Sequence, residues 1–545
     1  MSETVDHEQQ ATHLQGSFPI FERAAGFQPA EQFQHLRFCI HSNPSWPEAI
    51  LLAFQHYIVM LGTTVLISSF LVPLMGGTNK DKAQVIQTFL FMSGINTLLQ
   101  TIIGTRLPTV MNASFAFIIP VMSIIQDFKI RKFEDENQRF SHTIRTIQGS
   151  LIVSSLIIII IGYSKAWGFC SRLLSPVVIA PVVCVVGLGL FQWGFPQVAK
   201  CVEIGLPMLI LLVISQQYLK HVHPRTHFLF ERFAMLFCIA IVWSFAAILT
   251  ASGAYNKVSE LTKQHCRTDH SQLISSASWI KVPYPFQWGT PLFSAGHVFG
   301  MMGAALVSTF ESTGTFFAVA RLAGATPPPT YVLSRGIGLQ GVGMLLEGIF
   351  GTVVSTTASV ENAGLLGLTR IGSRRVVQIS TGFMIFFSIF GKFGALFASI
   401  PLPIFAAIYC VLFGIVAATG ISFVQFINHN SMRNMYILGL SLFLGISIPQ
   451  YFNDFNDFKL FAGHWPLNTN AGWFNDIVNT VFSSAPTVAI LVGTLLDTTL
   501  ETVNTAVDRG LPWWIPFQQS KGDVRNDEFY SYPVRLGELI PTKYL

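Results

Sequence analysis

The chain has 545 residues, of which 51% are apolar and only 11% are charged. Ordinary soluble domains contain about 25% charged residues, so most of this chain must face lipid or other apolar helices. The formal net charge of +5 is small for this length, and no basic block is interleaved with aromatic residues. Composition therefore argues against a nucleic-acid-binding protein.

Apolar stretches long enough to cross a bilayer recur along the chain. About 18 or more consecutive apolar residues are typical of a membrane-spanning helix. Such stretches lie at residues 47–73, 85–103, 146–163, 173–191, 202–216, 230–251, 295–320, 331–350, 376–400, 402–423, 435–449 and 481–496. The first 46 residues are polar and lack the apolar core of a signal peptide, so we expect the first stretch to act as its own signal.

Two shorter stretches, 107–125 and 351–369, are interrupted by Gly, Pro or polar residues. Each is the third element of its half, and their starts are about 245 residues apart, nearly the separation of the first and eighth stretches. This arrangement predicts an all-α membrane protein with fourteen transmembrane elements in a 7+7 inverted repeat. Elements 3 and 10 are expected to contain short extended segments that line a cavity. An ordinary kinked helix is the alternative for each segment.

Two glutamates lie inside this apolar sequence. Glu311 is the only charged residue between positions 300 and 320, and Glu361 opens the motif ENAGLLGLTR after a β-branched run. A carboxylate at bilayer depth costs roughly 2.5 kcal/mol or more, so it is normally kept for a ligand or a pathway. Glu361 can accept hydrogen bonds from an uncharged, N–H-rich heterocycle, and Asn362 offers a donor and an acceptor. The alternative is that Glu361 only caps a half-helix.

The remaining reactive or charged residues are weaker candidates. Seven cysteines without a CxxC pair argue against a disulfide framework or a zinc site, and we expect free, mostly buried thiols. Glu347, at the apolar end of the ninth element, is a weak functional candidate.

Positive charges set the topology only weakly. Both termini are expected inside, with residues 254–292 and 451–479 outside and a soluble, partly disordered tail after Asp497. The loop after the third element opposes this orientation, since it is expected to carry Lys129, Arg131, Lys132, Arg139 and Arg145.

The motif ENAGLLGLTR matches the signature of the nucleobase–ascorbate transporter family: Gln, Glu or Pro, then Asn-x-Gly, then a Thr-Arg pair five residues beyond the Gly. The first span also carries the family's Gln-His pair, here Gln55-His56. From about residue 38 onward, stretches such as GSRRVVQIS and WFNDIVN look like the plant branch. The chain therefore resembles a member of this family, also called nucleobase:cation symporter-2.

The resemblance implies a dimer whose subunits bind substrate between a core domain and a gate domain. It implies an N-terminal cytoplasmic tail at 1–46, core segments at 47–163 and 294–400, gate segments at 171–252 and 401–498, an extracellular loop at 253–293 and a C-terminal cytoplasmic tail at 499–545.

The resemblance also assigns residues to roles. Glu311 would be the main ligand for a base, Glu361 the second, and Asn362 would orient or gate it. Ser114 and Phe115 would contribute backbone contacts and an aromatic face. A polar network behind the site would include Gln55 and His56, and the other signature positions are Gly364, Thr369 and Arg370.

Two positions depart from the family pattern. Many relatives place an Asp or His one turn after the eighth-element glutamate, but this chain has Thr315, which cannot titrate. If protons drive transport, Glu311 itself is then the better proton carrier. Met111-Asn112 stands where plant relatives tend to have smaller, less polar residues, a change that could alter selectivity or abolish transport.

These observations predict a proton-coupled, elevator-like importer of nucleobases such as xanthine, uric acid, adenine, guanine or uracil, located in the plasma membrane. No enzyme activity, cofactor or metal is expected. One alternative is a transporter of ascorbate or of sulfate- or bicarbonate-like anions. A second is a non-transporting scaffold or receptor of the same fold.

Overall fold

The computed structural model describes residues 36–130, 133, 135–219, 227–268, 278–428, 430–459, 469, 471–501, 508–510 and 524–532. Most of the two predicted cytoplasmic tails, 1–46 and 499–545, lies outside these residues.

The first half of the described chain is almost entirely helical. Its helices are α1 (Trp46–Met75), α2 (Asn79–Ile102), α3 (Ile118–Ile130), α4 (Glu136–Tyr163), α5 (Ala166–Ser171), α6 (Pro176–Leu188), α7 (Phe195–Val198), α8 (Val202–Val213, continued by a π-helical turn Ile214–Leu219), α9 (His227–Arg232), α10 (Ala234–Ala251) and α11 (Glu260–Cys266). Strand β1 (Met111–Ala113) and a 3₁₀ turn (Phe115–Phe117) precede α3.

The second half repeats the same kinds of element. Its helices are α12 (Ala295–Leu322), α13 (Thr330–Phe350), α14 (Val360–Thr369), α15 (Arg374–Ile389), α16 (Gly391–Ala398), α17 (Leu402–Ser422), α18 (Met432–Lys459), α19 (Gly472–Phe482), α20 (Ala485–Thr499) and α21 (Val524–Tyr530). Strand β2 (Thr356–Ala358) precedes α14.

Seven of the described helical stretches are long and apolar enough to cross a membrane, and the pair α19–α20, bent by 82° at its break, would make an eighth. The protein is thus a multi-pass helical membrane protein. The fourteen-element inverted repeat stays a prediction.

The two short extended segments form one small antiparallel sheet in the interior. Asn112 lies opposite Thr357, and all six residues of β1 and β2 are buried. Further hydrogen bonds, from Ser114 N to Ser355 O (3.0 Å) and from Ser359 N to Val110 O (2.9 Å), lengthen the pairing. Since each strand satisfies the other's backbone groups, irregular chain is tolerated at this depth. The extended segments predicted in elements 3 and 10 are present, and the kinked-helix alternative is wrong.

The long helices pack in two groups. In the first group, α1 to α4 pack with α12 to α15 around the two-stranded sheet. In the second group, α6, α8, α10, α17, α18 and α20 pack on one another, and α19 joins this group through its contacts with α18 and α20. The groups meet where α14 lies on α17 and where α12 lies against α6 and α19.

The cysteine prediction is wrong at one pair. Cys201, before α8, and Cys266, at the end of α11, form a disulfide across 65 residues. The two residues are far apart in sequence and follow no spacing rule, so the pattern of cysteines alone did not indicate their proximity.

The predicted connectors also contain more helix than expected. Helix α18 continues to Lys459 and α19 begins at Gly472, so much of the predicted connector 451–479 is helical. Arg139 and Arg145 belong to α4 rather than to the loop before it. The ends of these helices are polar, so hydropathy alone does not identify them as helical.

The tail expected to be soluble and partly disordered contains a docked segment. Tyr530, in α21, is fully buried; its hydroxyl donates to Thr326 O, and Arg335 and Arg374 donate to the carbonyls of Tyr530 and Phe529. The other described chain end lies on the same face: Phe38 pairs with Ile371, next to the end of α14. The disulfide belongs to the connectors on the opposite ends of the spanning helices.

Candidate functional site

A cavity of about 200 Å³ lies between the two helix groups, beside the small sheet. Its walls include β2 and the start of α14 from the first group, and residues before and after the break between α19 and α20 from the second. Both Glu311 and Glu361 line it. The volume is below the roughly 300–1,000 Å³ that holds drug-sized ligands, so the cavity suits a small molecule.

Glu311 projects from the middle of α12 and is loosely held. Ser114 Oγ donates to its Oε2 at 3.1 Å, and Ser484 Oγ donates to its Oε1 at 3.4 Å. Ser114 belongs to the first helix group, whereas Ser484 lies at the α19–α20 break of the second. The Glu311 carboxylate therefore touches both groups across the cavity.

Glu361 lies in the first turn of α14 and is held more tightly. Thr63 Oγ1 and Asn112 Nδ2 both donate to its Oε1 at 2.7 Å. Asn112 is fixed in turn, because its Oδ1 accepts from Thr64 Oγ1 at 3.0 Å. The unusual Asn112 is therefore a structural partner of the second glutamate, a role that its position in the sequence did not indicate.

Asn362 faces away from the cavity lining and links α14 to α1. Its Nδ2 donates to Ser359 Oγ at 2.8 Å, and its Oδ1 lies 3.0 Å from His56 Nδ1. Because that oxygen can only accept, His56 carries its proton on Nδ1. Ser359, rather than Glu361, caps the helix: its Oγ accepts from Asn362 N at 3.2 Å.

An aromatic pair closes one side of the cavity. The ring of Phe115 stacks on Trp193, with 4.4 Å between centroids and 21° between planes. Phe115 belongs to the first helix group and Trp193 to the turn after α6 of the second. Aromatic faces of this kind suit a flat, conjugated ligand.

The remaining predicted residues lie farther from the cavity lining. Thr315 donates to Glu311 O within its own helix (3.0 Å). Gln55 donates to Arg232 O (2.8 Å), whereas His56 contacts Asn362, so the two residues of the Gln-His pair have different hydrogen-bond partners.

The signature residues after Asn362 are structural. A Cβ at Gly364 would lie 2.4 Å from Leu412 O, so glycine permits the close approach of α14 and α17. Thr369 donates to Leu365 O (2.8 Å), and Arg370 ends the helix in a left-handed conformation (φ 57°) beside Glu231.

Glu347, predicted from the sequence to be only a weak functional candidate, has a clear structural role. This carboxylate is fully buried behind β2 and accepts four hydrogen bonds: from Asn96 Nδ2 (2.6 Å), Ser355 Oγ (2.5 Å), Thr356 N (3.0 Å) and Thr356 Oγ1 (2.6 Å). It fixes the strand that forms a wall of the cavity. The sequence feature that could have indicated this role is the closeness of Glu347 to the extended segment, since Thr356 follows it by nine residues.

Residues of the second group that line the cavity were also missed. Gln192, Asn453 and Ser483 bring polar side chains to the wall opposite β2. Gln192 lies in a short 3₁₀ turn, Asn453 inside α18 and Ser483 just after α19, and no sequence motif links these three positions.

The electrostatic character of the cavity is one-sided. Among the described residues that line it are two carboxylates and no Lys, Arg or His. A cluster of possible metal ligands, Cys201, Glu203 and Cys266, lies elsewhere, but its two thiols are joined in the disulfide and cannot ligate a metal as thiolates.

Comparison with known proteins shows where this chain belongs. The Permease family profile matches residues 47–453. Nucleobase-ascorbate transporter 3 of Arabidopsis thaliana is 66% identical over 518 residues, covering 95% of this chain and 94% of the relative, and nucleobase-ascorbate transporter 2 is 59% identical over 513 residues, covering 94% and 97%. A solved structure of SLC26A9 covers 73% of this chain and 62% of its own at 9% identity, with a TM-score of 0.44. The chain belongs to the Permease family and, within it, to the nucleobase–ascorbate transporters.

Proposed function

We propose that this transporter imports an uncharged nucleobase together with a proton. The observation that carries the proposal is that Glu311 and Glu361 line one small cavity whose described walls contain no cationic side chain. Carboxylates accept hydrogen bonds, so they suit a ligand rich in N–H donors. The stacked Phe115 and Trp193 add a surface suited to a flat ring.

The same observation argues against an anion such as ascorbate or bicarbonate as the main substrate. A buried anion needs a cation or several hydrogen-bond donors, and two carboxylates next to it would repel it. The first-turn amides of α14 can still contact a carbonyl oxygen of a base. A purine or pyrimidine with both N–H and C=O groups fits both features.

Glu311 is the proposed proton carrier. It touches Ser114 of one helix group and Ser484 of the other through two long hydrogen bonds, so a proton on either oxygen needs little rearrangement. Thr315, one turn later, cannot titrate. One proton moving down 100 mV yields about 2.3 kcal/mol and one pH unit adds about 1.4, enough for an accumulation of several hundred-fold.

The proposed movement is elevator-like, with the first helix group as core and the second as gate. The packing of the helices into two groups with the cavity between them supports this division. In the proposed cycle, the core carries base and proton past the gate. The contacts Glu311–Ser484 and Phe115–Trp193 would have to break in each cycle.

We further propose that both termini are cytoplasmic and that the protein is a homodimer of the plasma membrane. The disulfide Cys201–Cys266 supports this orientation, because disulfides persist in oxidising compartments and it lies opposite the face where the chain ends dock. Labelling of single added cysteines in intact cells tests the orientation, and cross-linking in membranes tests the dimer.

The substrate is tested by uptake of radiolabelled xanthine, uric acid, adenine, uracil and ascorbate into cells that lack their own carriers, with and without an uncoupler. Uncoupler-sensitive accumulation of one base is expected. Accumulation of ascorbate alone would overturn the substrate assignment. Binding of a base without uptake, by protein present at the cell surface, would favour the receptor alternative.

A further inference from the structure

A second cavity, with no role in the proposed transport site, opens on the lipid-facing side of the protein. It is a groove of about 620 Å³ between α1 of the first helix group and α10 of the second, closed at the far end by Phe397 and Ile400. Its described walls are almost entirely apolar, and two of them, Leu51 and Phe237, are 47% and 45% exposed. The groove is therefore accessible from the bilayer.

The groove has the length of an acyl chain in one leaflet. It follows α1 from Pro47 to Ile58, and eleven residues of helix rise about 16 Å at 1.5 Å each. Half of the hydrocarbon core of a bilayer is about 15 Å thick. On the opposite wall, the groove runs from Phe233, which directly precedes α10, to Trp243 within it.

One end of the groove is polar, and arginines that do not themselves line it contact residues at or next to this end. Glu48 and Ser45 line this end, and Glu48 pairs with Arg232, which directly precedes Phe233. Arg37 and Arg370 both pair with Glu231, at 2.8 and 3.5 Å, and each side chain is 44% exposed. The guanidinium of Arg375 lies 3.9 Å from the ring centroid of Trp46, the residue between Ser45 and Pro47.

These groups give the polar end a positive balance. Four guanidinium groups, of Arg37, Arg232, Arg370 and Arg375, accompany two carboxylates, of Glu48 and Glu231, among the described residues. Arginine binds phosphate through its planar fork of donors. Trp46 is 62% exposed here, as is common where a membrane protein meets lipid headgroups.

We propose that the groove binds one anionic phospholipid, with an acyl chain along α1 and α10 and the headgroup phosphate at Arg37, Arg370 and Arg375. An apolar wall with an arginine-rich end matches a molecule with a chain and an anion. A sterol would bring no anion to the arginines, and a zwitterionic lipid would bring a second positive charge to them. The lipid would touch both helix groups and so stabilise the arrangement seen here.

The proposal is tested on purified full-length protein by native mass spectrometry, titrating phosphatidylglycerol and phosphatidylcholine of equal chain length. The wild type is expected to retain one phosphatidylglycerol more tightly than phosphatidylcholine. The double variant Arg37→Gln/Arg375→Gln is expected to lose roughly five- to thirtyfold in phosphatidylglycerol affinity, with little change for phosphatidylcholine. Arg172→Gln, at an exposed arginine away from the groove, is the control.

A second pair of variants tests the groove itself. Ala240 is exposed and lines it, so Ala240→Phe should fill it and weaken retention of both lipids. Ala247→Phe, at an exposed position two turns later on the same helix and outside the groove, is the matched control. Equal retention of the two lipids by the wild type, or equal behaviour of the two phenylalanine variants, would overturn the proposal. Neither result depends on transport, so the proposed function is tested separately.

Discussion

The carboxylates on the two sides of strand β2 are held in opposite ways. Behind the strand, Glu347 accepts four hydrogen bonds, from Asn96, Ser355 and Thr356, and is sealed from solvent. In front of it, Glu311 faces the cavity with only the two longer bonds from Ser114 and Ser484. Glu361 lies between these extremes, with Thr63 and Asn112 both donating to its Oε1 at 2.7 Å.

This difference separates a carboxylate that shapes the site from one that is free to act in it. A carboxylate has about four positions for donors, and at Glu347 the protein fills them all. At Glu311 most of these positions remain for a ligand or a proton. Exposure separates the two side chains in the same way, because Glu347 is fully buried and Glu311 is only half-buried.

Removing the sealed carboxylate should have the largest effect on stability. Glu347→Ala leaves four buried donors without an acceptor, each costing about 1–3 kcal/mol, which is a large part of the usual stability of a protein. We expect loss of most folded protein from the membrane, with partial rescue by Glu347→Gln. Fluorescence-detected size exclusion with a thermal ramp measures this, and Glu501→Gln, at an exposed site, is the control. A fully stable Glu347→Ala protein would contradict the comparison.

The intermediate carboxylate should affect binding more than folding. Glu361→Gln keeps an oxygen for Thr63 and Asn112 but replaces a charge-assisted hydrogen bond to the ligand with a neutral one. The difference of about 1.4 kcal/mol corresponds to a tenfold increase in KM. Uptake kinetics of the transported base measure it. An unchanged KM would show that Glu361 does not contact the transported base.

Substitution of Asn112 should affect substrate binding in the same direction as substitution of Glu361, because Asn112 acts by holding the Glu361 carboxylate. Asn112→Ala removes one donor to Glu361 and the acceptor of Thr64, and we expect a several-fold increase in KM with normal surface abundance. In the background of Glu361→Gln the same change should have a smaller effect, since the two residues form one network. Fully additive effects in this double-mutant cycle would show that Asn112 acts independently.

Thr315 should matter least. Its hydroxyl donates to a carbonyl of its own helix, so Thr315→Ala should change KM and uncoupler sensitivity less than about twofold. Loss of coupling in this variant would mean that the residue takes part in proton transfer and would shift attention away from Glu311.

The sequence predicted those features that depend on periodicity and on rare residues. Long apolar stretches indicated the spanning helices, interruptions near Pro108 and Gly351 indicated the broken elements, and isolated charges indicated Glu311 and Glu361. Each of these signals has a direct physical cost in a membrane, so each is visible in a single sequence.

The features that the sequence did not predict depend on contacts between distant segments. Three contacts illustrate this. Cys201 pairs with Cys266 across 65 residues, Tyr530 bonds to Thr326 across 204, and Asn112 bonds to Glu361 across 249. Glu347 was ranked as a weak candidate partly for the same reason, since its donor Asn96 lies on another helix, although Ser355 and Thr356 follow it by only eight and nine residues.

The most direct test of the proton assignment is transport by Glu311→Gln protein in liposomes with an imposed inward proton gradient. We predict that this variant, folded and correctly inserted, loses uphill uptake of the base while Glu501→Gln protein retains it. Exchange of labelled for unlabelled base without a gradient should persist if the amide that replaces the carboxylate still binds the ligand. Full uphill accumulation by Glu311→Gln that still collapses with an uncoupler would contradict the assignment of the proton to Glu311.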